Sequence, residues 1–290
     1  MKDKSIIFAA DGLLGLSHLG AMHYLNSVDT NFMKKFDNYI GASIGSIWCF
    51  LFSMNIPLER IIFIGYNIFQ EDFTECFEDM SFKSLNKYFG LTKCNFKTLN
   101  DLLVSIFNRE SVTFELHYKK FNKNLVISGF NLTTSKIEYF NHMNTPDMKI
   151  IDAIRISTCI PIMFSPINLN SYKYMDPVLS ENIPISYLKT VGIKATKHNT
   201  IVVNKVNKFN SDVLESPRTI FGYILYLITR VCNIKQGGNS ELLDYNAIYL
   251  NIDIPGTHEH DVSLLMHFTN NDMYDLLKYG YKAAKLLNTK

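Results

Sequence analysis

No charge of one sign dominates this sequence: 29 Lys and Arg stand against 27 Asp and Glu, a formal net charge of +2. So small a bias gives no electrostatic basis for nucleic-acid binding, and any membrane-facing basic patch has to be local. An ordered cysteine pattern is missing too. Cys49, Cys76, Cys94, Cys159 and Cys232 are odd in number and scattered, with no CxxC or Cys/His cluster, which supports neither a disulfide framework nor a zinc site. Long apolar runs are also lacking. After the basic start MKDK only residues 6–10 are apolar, too few for the core of a signal peptide. The run 220–228, IFGYILYLI, falls well short of the roughly 20 residues that cross a bilayer. These absences predict a soluble, cytoplasmic protein that calls for no metal or other cofactor.

What is present is ordinary globular composition, 47% hydrophobic and 19% charged, which argues against long disorder. The 290 residues suffice for a sizeable core, and with no repeat, low-complexity tract or linker the economical reading is one domain over 1–290. Residues 5–10 read as an apolar strand breaking into Asp11-Gly12-Leu13-Leu14-Gly15. Helical spacing follows over 16–27, with Leu16, Leu19, Met22 and Leu25 on one face. A short strand at 37–40 runs into Gly41-Ala42-Ser43-Ile44-Gly45 and an apolar helix at 46–54. Further helices are expected at 57–70, 99–107, 149–157 and 273–287, and strands at 125–129, Lys136–Phe140, 173–175, 200–204 and 247–252. The segment 70–97 has mixed polarity and several aromatics and reads as a lid or a helical insertion. Strands alternating with helices predict an α/β fold, a three-layer sandwich around a mainly parallel sheet.

The strongest chemical signal is the pentapeptide Gly41-Ala42-Ser43-Ile44-Gly45. A nucleophilic serine on a tight strand-to-helix turn needs small residues two positions either side, so that the backbone turns sharply and the helix packs close. The helix start also leaves free N–H groups that favour a developing negative charge. A glycine-bounded turn carrying an incidental serine has the same spelling, and the strand–turn–helix context is what favours catalysis. Asp11-Gly12-Leu13-Leu14-Gly15 is a second such turn, either an anion-binding helix start or a plain tight connection. Asp176, taken alone, reads as an exposed turn residue before Pro177. His18 and His23 lie five apart and do not share a helix face for metal binding. The run 220–228 fits a buried helix or a lipid-facing one equally well.

Taken together these segments resemble a known family. AADGLLGLSHLGAMHYL is similar to the oxyanion loop and first helix of the patatin-like phospholipases, and NYIGASIGSI to their nucleophile elbow. AIRISTCIPIMFSPI resembles their Arg-x-Ser…Pro…Phe-x-Pro stretch, MDPVLSENIPI their Asp-Gly-Gly or Asp-Gly-Ala motif with its trailing Asn-x-Pro, and HFTNNDMYDLLKYGYKAAKLL their terminal helix. The five occur in the family's order over nearly the whole chain, most weakly over 66–97. The resemblance implies a serine lipid acyl hydrolase with a histidine-free dyad, Ser43 and Asp176. It implies an oxyanion loop at Asp11, Gly12, Leu13 and Gly15 joined by Ile44, and an elbow flanked by Gly41 and Gly45. It implies a phospholipid or other acyl-lipid substrate, which is compatible with work at a membrane or lipid-droplet surface.

Three departures from the family pattern stand out. Ala10-Asp11-Gly12 replaces a glycine triplet, and an inward-pointing Asp11 would oppose the charge it should stabilise. Leu14 replaces a cationic residue. Pro177 and Val178 replace small residues after the aspartate, removing one backbone donor. They support a second reading, a catalytically impaired lipid-binding protein on the same fold. A third is an α/β-hydrolase esterase in which Ser43 and a later aspartate work with His258, His260 or His267, in that family's chain order.

Overall fold

The structure is a computed structural model and describes residues 4–73, 90–92, 96–107, 111–206, 245–254 and 269–288. Most of the lid-like segment 70–97, the run 220–228 and the loop holding His258, His260 and His267 lie outside these residues.

Eight strands form one sheet: β1 (Ser5–Phe8), β2 (Asn38–Gly41), β4 (Asn124–Asn131), β5 (Lys136–Phe140), β7 (Ile167–Leu169), β8 (Tyr172–Met175), β9 (Thr200–Val206) and β10 (Ile248–Asp253). Its order is β10-β9-β1-β2-β4-β8-β7, with β5 also paired to β4. The five strands from β10 to β4 run parallel; β5, β7 and β8 are added antiparallel. A short parallel pair, β3 (Gly90–Thr92) with β6 (Ile162–Phe164), stands apart. The fold is therefore α/β with a mixed, mostly parallel sheet.

Strand periodicity sorts side chains into two cores. Ile6, Phe8, Tyr39, Leu125, Ile127 and Val203 enter one, and Ile7, Ile40, Val126 and Val202 enter the other. Strands buried on both faces must be apolar throughout, which is why 5–10 reads as a continuous run rather than an alternation. The first core is closed by helices α1 (Leu16–Val28), α2 (Ile44–Ser53), α3 (Leu58–Asn67), α4 (Lys97–Phe107), α5 (Phe114–Phe121), α6 (Ile150–Ser157) and α8 (Asn270–Asn288). The second is closed by Ile183, Ile185 and the short α7 (Ser186–Thr190). Among the described residues no helix is long and apolar enough to cross a membrane.

Helix α8 lies directly on α1. A methyl group added to Gly280 would sit 1.7 Å from the Ser17 carbonyl, and one added to Gly20 would sit 1.9 Å from that of Leu277. Backbone blocks both positions, so no rotamer change can relieve the overlap. Gly280→Ala is expected to destabilise the protein by about 1–3 kcal/mol through overpacking, seen as a lower urea midpoint at unchanged slope.

Candidate active site

Parallel strands place their C-terminal ends along one edge of the sheet, and the site is assembled there. Asp11 follows β1, Ser43 follows β2, and Lys205 lies near the end of β9. Asp176 arrives from the opposite direction, at the end of antiparallel β8, where Met175 pairs with Phe130 of β4.

Ser43 follows Ala42 in the two-residue turn between β2 and α2, with φ 51° and ψ −126°. That region is strained for a side chain with a Cβ, and a nucleophile elbow is one of the few settings that imposes it. Several bonds hold the turn. The Ser43 N–H donates to Ser157 Oγ at 2.9 Å, and the Ser43 carbonyl accepts from Ser46 N–H at 2.9 Å and Ser46 Oγ at 2.6 Å. Ala42 N–H reaches the Phe8 carbonyl at 3.2 Å. The flanking glycines are required by contact: a Cβ on Gly45 would lie 2.3 Å from the Phe8 carbonyl oxygen, and one on Gly41 2.4 Å from that of Gly45. A third close approach brings the two glycine turns together, because a Cβ on Gly15 would meet Ile44 at 2.4 Å. Trp48 Nε1 on α2 ties them further by donating to the Gly15 carbonyl at 3.0 Å.

Ser43 Oγ donates to Asp176 Oδ2 at 2.6 Å, although the two residues are 133 positions apart. Both are buried, Ser43 at 4% exposure and Asp176 at 1%. Asp176 is thus no exposed turn residue. Its other oxygen accepts the Val178 N–H at 2.9 Å, and its own N–H donates to the Cys159 carbonyl at 3.0 Å. Pro177 begins a 3-10 turn, Pro177–Leu179, at the position where a missing N–H costs nothing. The donor that reaches Asp176 is therefore untouched by the proline.

Such an arrangement, matched in order by the other motifs, can be compared with known proteins. Residues 10–189 match the patatin-like phospholipase family. The chain belongs to that family. It is 31% identical over 221 residues to "Probable lipid hydrolase 463L" of Invertebrate iridescent virus 6, covering 75% of this chain and 70% of the relative. It is 26% identical over 205 residues to "Uncharacterized protein R571" of Acanthamoeba polyphaga mimivirus, covering 68% of this chain and 66% of that one. Among solved structures, VipD from Legionella pneumophila superposes with a TM-score of 0.58 at 15% identity, over 100% of this chain and 67% of that chain, a likeness of fold.

The patatin-like turn at 11–15 also differs from what its spelling implies. The Asp11 carboxylate is engaged: Oδ2 accepts from His18 Nε2 at 2.7 Å and from the Lys205 N–H at 2.8 Å. Leu14 is part of the core. The sequence assigned no role to four participants: Ser157, met only as the serine of the Arg-x-Ser stretch, the Val178 N–H, His18 and the Lys205 N–H. Ser157 lies 114 residues from its partner. No local pattern links such pairs. Among the described residues no histidine bonds to Ser43 or Asp176.

Burial raises the Asp176 carboxyl from its ordinary 3.8 to about 7, against the smaller lowering effects of the Ser43 and Val178 bonds. A folded-state value above the unfolded one means the folded protein holds a proton that the unfolded chain releases. The stability cost is absent below the unfolded value, grows as pH rises, and is complete above about 7. Asn at this position does not titrate. The stability of Asp176→Asn relative to wild type should therefore increase by roughly 3 kcal/mol between pH 5 and pH 8, at about 1.4 kcal/mol per unit. Urea denaturation of both proteins at the two pH values measures it, and a constant difference would mean that burial does not raise the Asp176 carboxyl.

Proposed function

We propose that the protein hydrolyses fatty-acyl esters of phospholipids or related lipids, with Ser43 as nucleophile and Asp176 as its acid–base partner. The observation that carries the reading is the buried 2.6 Å hydrogen bond from Ser43 Oγ to a carboxylate whose proton affinity is raised to about 7. A general base works best with a pKa near the operating pH, and an ordinary aspartate is too weak for the task. The family and the name of the viral relative support a lipid substrate.

In this reaction Asp176 Oδ2 takes the hydroxyl proton as Ser43 Oγ bonds to the ester carbonyl carbon. Negative charge moves to the carbonyl oxygen. The N–H groups of Gly12, Leu13 and Ile44 are suited to receive it, because they head a 3-10 turn and α2, ahead of any intrahelical acceptor. As the tetrahedral intermediate collapses, the bond to the alcohol oxygen breaks, and Asp176 returns its proton to that oxygen. An acyl ester on Ser43 remains. Water then gives a proton to Asp176 while its oxygen attacks the acyl carbon, and Ser43 leaves with that proton as the fatty acid is released. The dyad completes the cycle without a histidine.

A fluorophosphonate probe tests the reading directly. Wild type is expected to be labelled, Ser43→Ala not at all, and Asp176→Asn at least 100-fold more slowly, the scale of lost general-base catalysis. Because Asp176 must be ionised, the wild-type rate should fall about tenfold per pH unit below 7 and level off above it. Replacing His258, His260 and His267 together by Gln should leave labelling intact; its loss would transfer the site to a Ser-Asp-His triad. A folded wild type that does not label sinks the hydrolase reading and favours lipid binding alone.

A further inference from the structure

Asp11 is where the sequence departs furthest from the turn it resembles, and its surroundings give that departure a purpose. Its side chain is 3% exposed. One oxygen takes two donors from two different elements: Nε2 of His18, in the first turn of α1, and the N–H of Lys205, near the end of β9. The neighbouring backbone is pinned as well, since Ala9 N–H donates to the Val203 carbonyl at 3.1 Å and Ala10 N–H to that of Asn182 at 2.9 Å. His18 is wholly buried against Phe8, and its Nδ1 has no partner among the described residues. Among those residues, the bond to Asp11 is the polar contact that holds this ring.

The backbone at Asp11 has φ −107° and ψ 14°, and Gly12 follows at φ +52°. A near-right-handed residue followed by a left-handed one turns successive N–H groups toward a common point, the concave nest that binds anions. The nest comprises the N–H groups of Asp11, Gly12 and Leu13. Among the described residues nothing lies within 4 Å of where a Gly12 Cβ would be. Asp11 is therefore both the first residue of the nest and the one whose side chain is locked.

We propose that Asp11 and His18 form a positioning pair: their bond, with the Lys205 N–H, holds the nest open toward the acyl carbonyl oxygen and keeps the Asp11 charge turned out of it. The inference rests on the hydrolase reading above. A loop glycine in place of Asp11 would need no such partner; a carboxylate does, because a released one would compete for the N–H groups that the oxyanion requires. Neither side chain touches the substrate. Both act through the backbone of Asp11, Gly12 and Leu13.

A nest out of line weakens the transition state and leaves ground-state binding alone. His18→Leu and Asp11→Ala are each expected to lower kcat on a soluble acyl ester, and the fluorophosphonate labelling rate, by about 10- to 100-fold with KM unchanged. His18→Gln, whose amide nitrogen reaches the position of Nε2, should restore most of the activity. A core histidine serving only as filler gives the opposite order, with Leu equal to or better than Gln. Adding Asp11→Asn to His18→Leu should cause no further multiplicative loss, because the two act as one unit. Melting temperatures separate a misaligned loop from an unfolded chain, and if His18→Leu does not fold, His18→Gln against Asp11→Ala makes the same comparison. Folded variants that keep the wild-type kcat, or Gln no better than Leu, overturn the positioning role alone. An unlabelled, inactive wild type overturns both this role and the reaction on which it rests.

Discussion

Asp176 sheds nearly all its water to meet Ser43, and the rest of the structure is arranged around the cost of that step. A carboxylate in bulk water holds its proton too weakly to draw one from a serine, whereas one stripped of solvent holds it more tightly and can exchange it near neutral pH. Burial pushes the group toward the neutral form. The Ser43 hydroxyl and the Val178 N–H offset part of that push, leaving a value of about 7. The balance depends on a serine held in a backbone conformation it would not choose, and that conformation depends on neighbours from across the chain.

Those neighbours explain the tight packing at the carboxyl edge of the sheet. Phe8 and Ala9 of the first strand–turn unit approach the second so closely that Gly45 has no space for a side chain. Trp48 reaches back from α2 to the Gly15 carbonyl, and Ser157 comes from α6 to hold the Ser43 N–H. Each contact joins elements that are distant in sequence. The fold shared with VipD at 15% identity shows that this architecture tolerates wide change in sequence.

The parts of the fold that were legible have strong periodicity. The strand at Lys136–Phe140 has the bounds its pattern predicts, and α2 starts only two residues ahead of expectation, because Ser43 itself marks the turn. The parts that were not legible are short or polar. Helix α5 carries two lysines and a buried histidine in eight residues, so its apolar face is faint, and its start is set by Thr113 accepting the Leu116 N–H at 3.3 Å. Strands β6 and β7 have three residues each, below the length at which alternation means anything. Asp176 reads as a surface turn because an Asp-Pro pair usually is one; only the Cys159 carbonyl and the Ser43 hydroxyl, brought in by other elements, make it a buried site.

By itself, then, the sequence determined the family, the α/β alternation and the two glycine turns, because these rest on local spacing: small residues where the chain must bend, apolar residues where strands are covered on both sides. It also contained Ser43 and Asp176, through the order of motifs rather than any property of either residue. Tertiary structure alone decided that these two touch, that Asp176 is raised to about 7, and that the Val178 N–H reaches Asp176 despite Pro177. It also decided the meaning of Asp11, which by its letter is a charge in the wrong place and in space is the partner of His18 and Lys205. Proton affinity and charge orientation depend on desolvation and on donors brought in from distant elements, Ser43 for Asp176 and Lys205 for Asp11, and local spacing records neither.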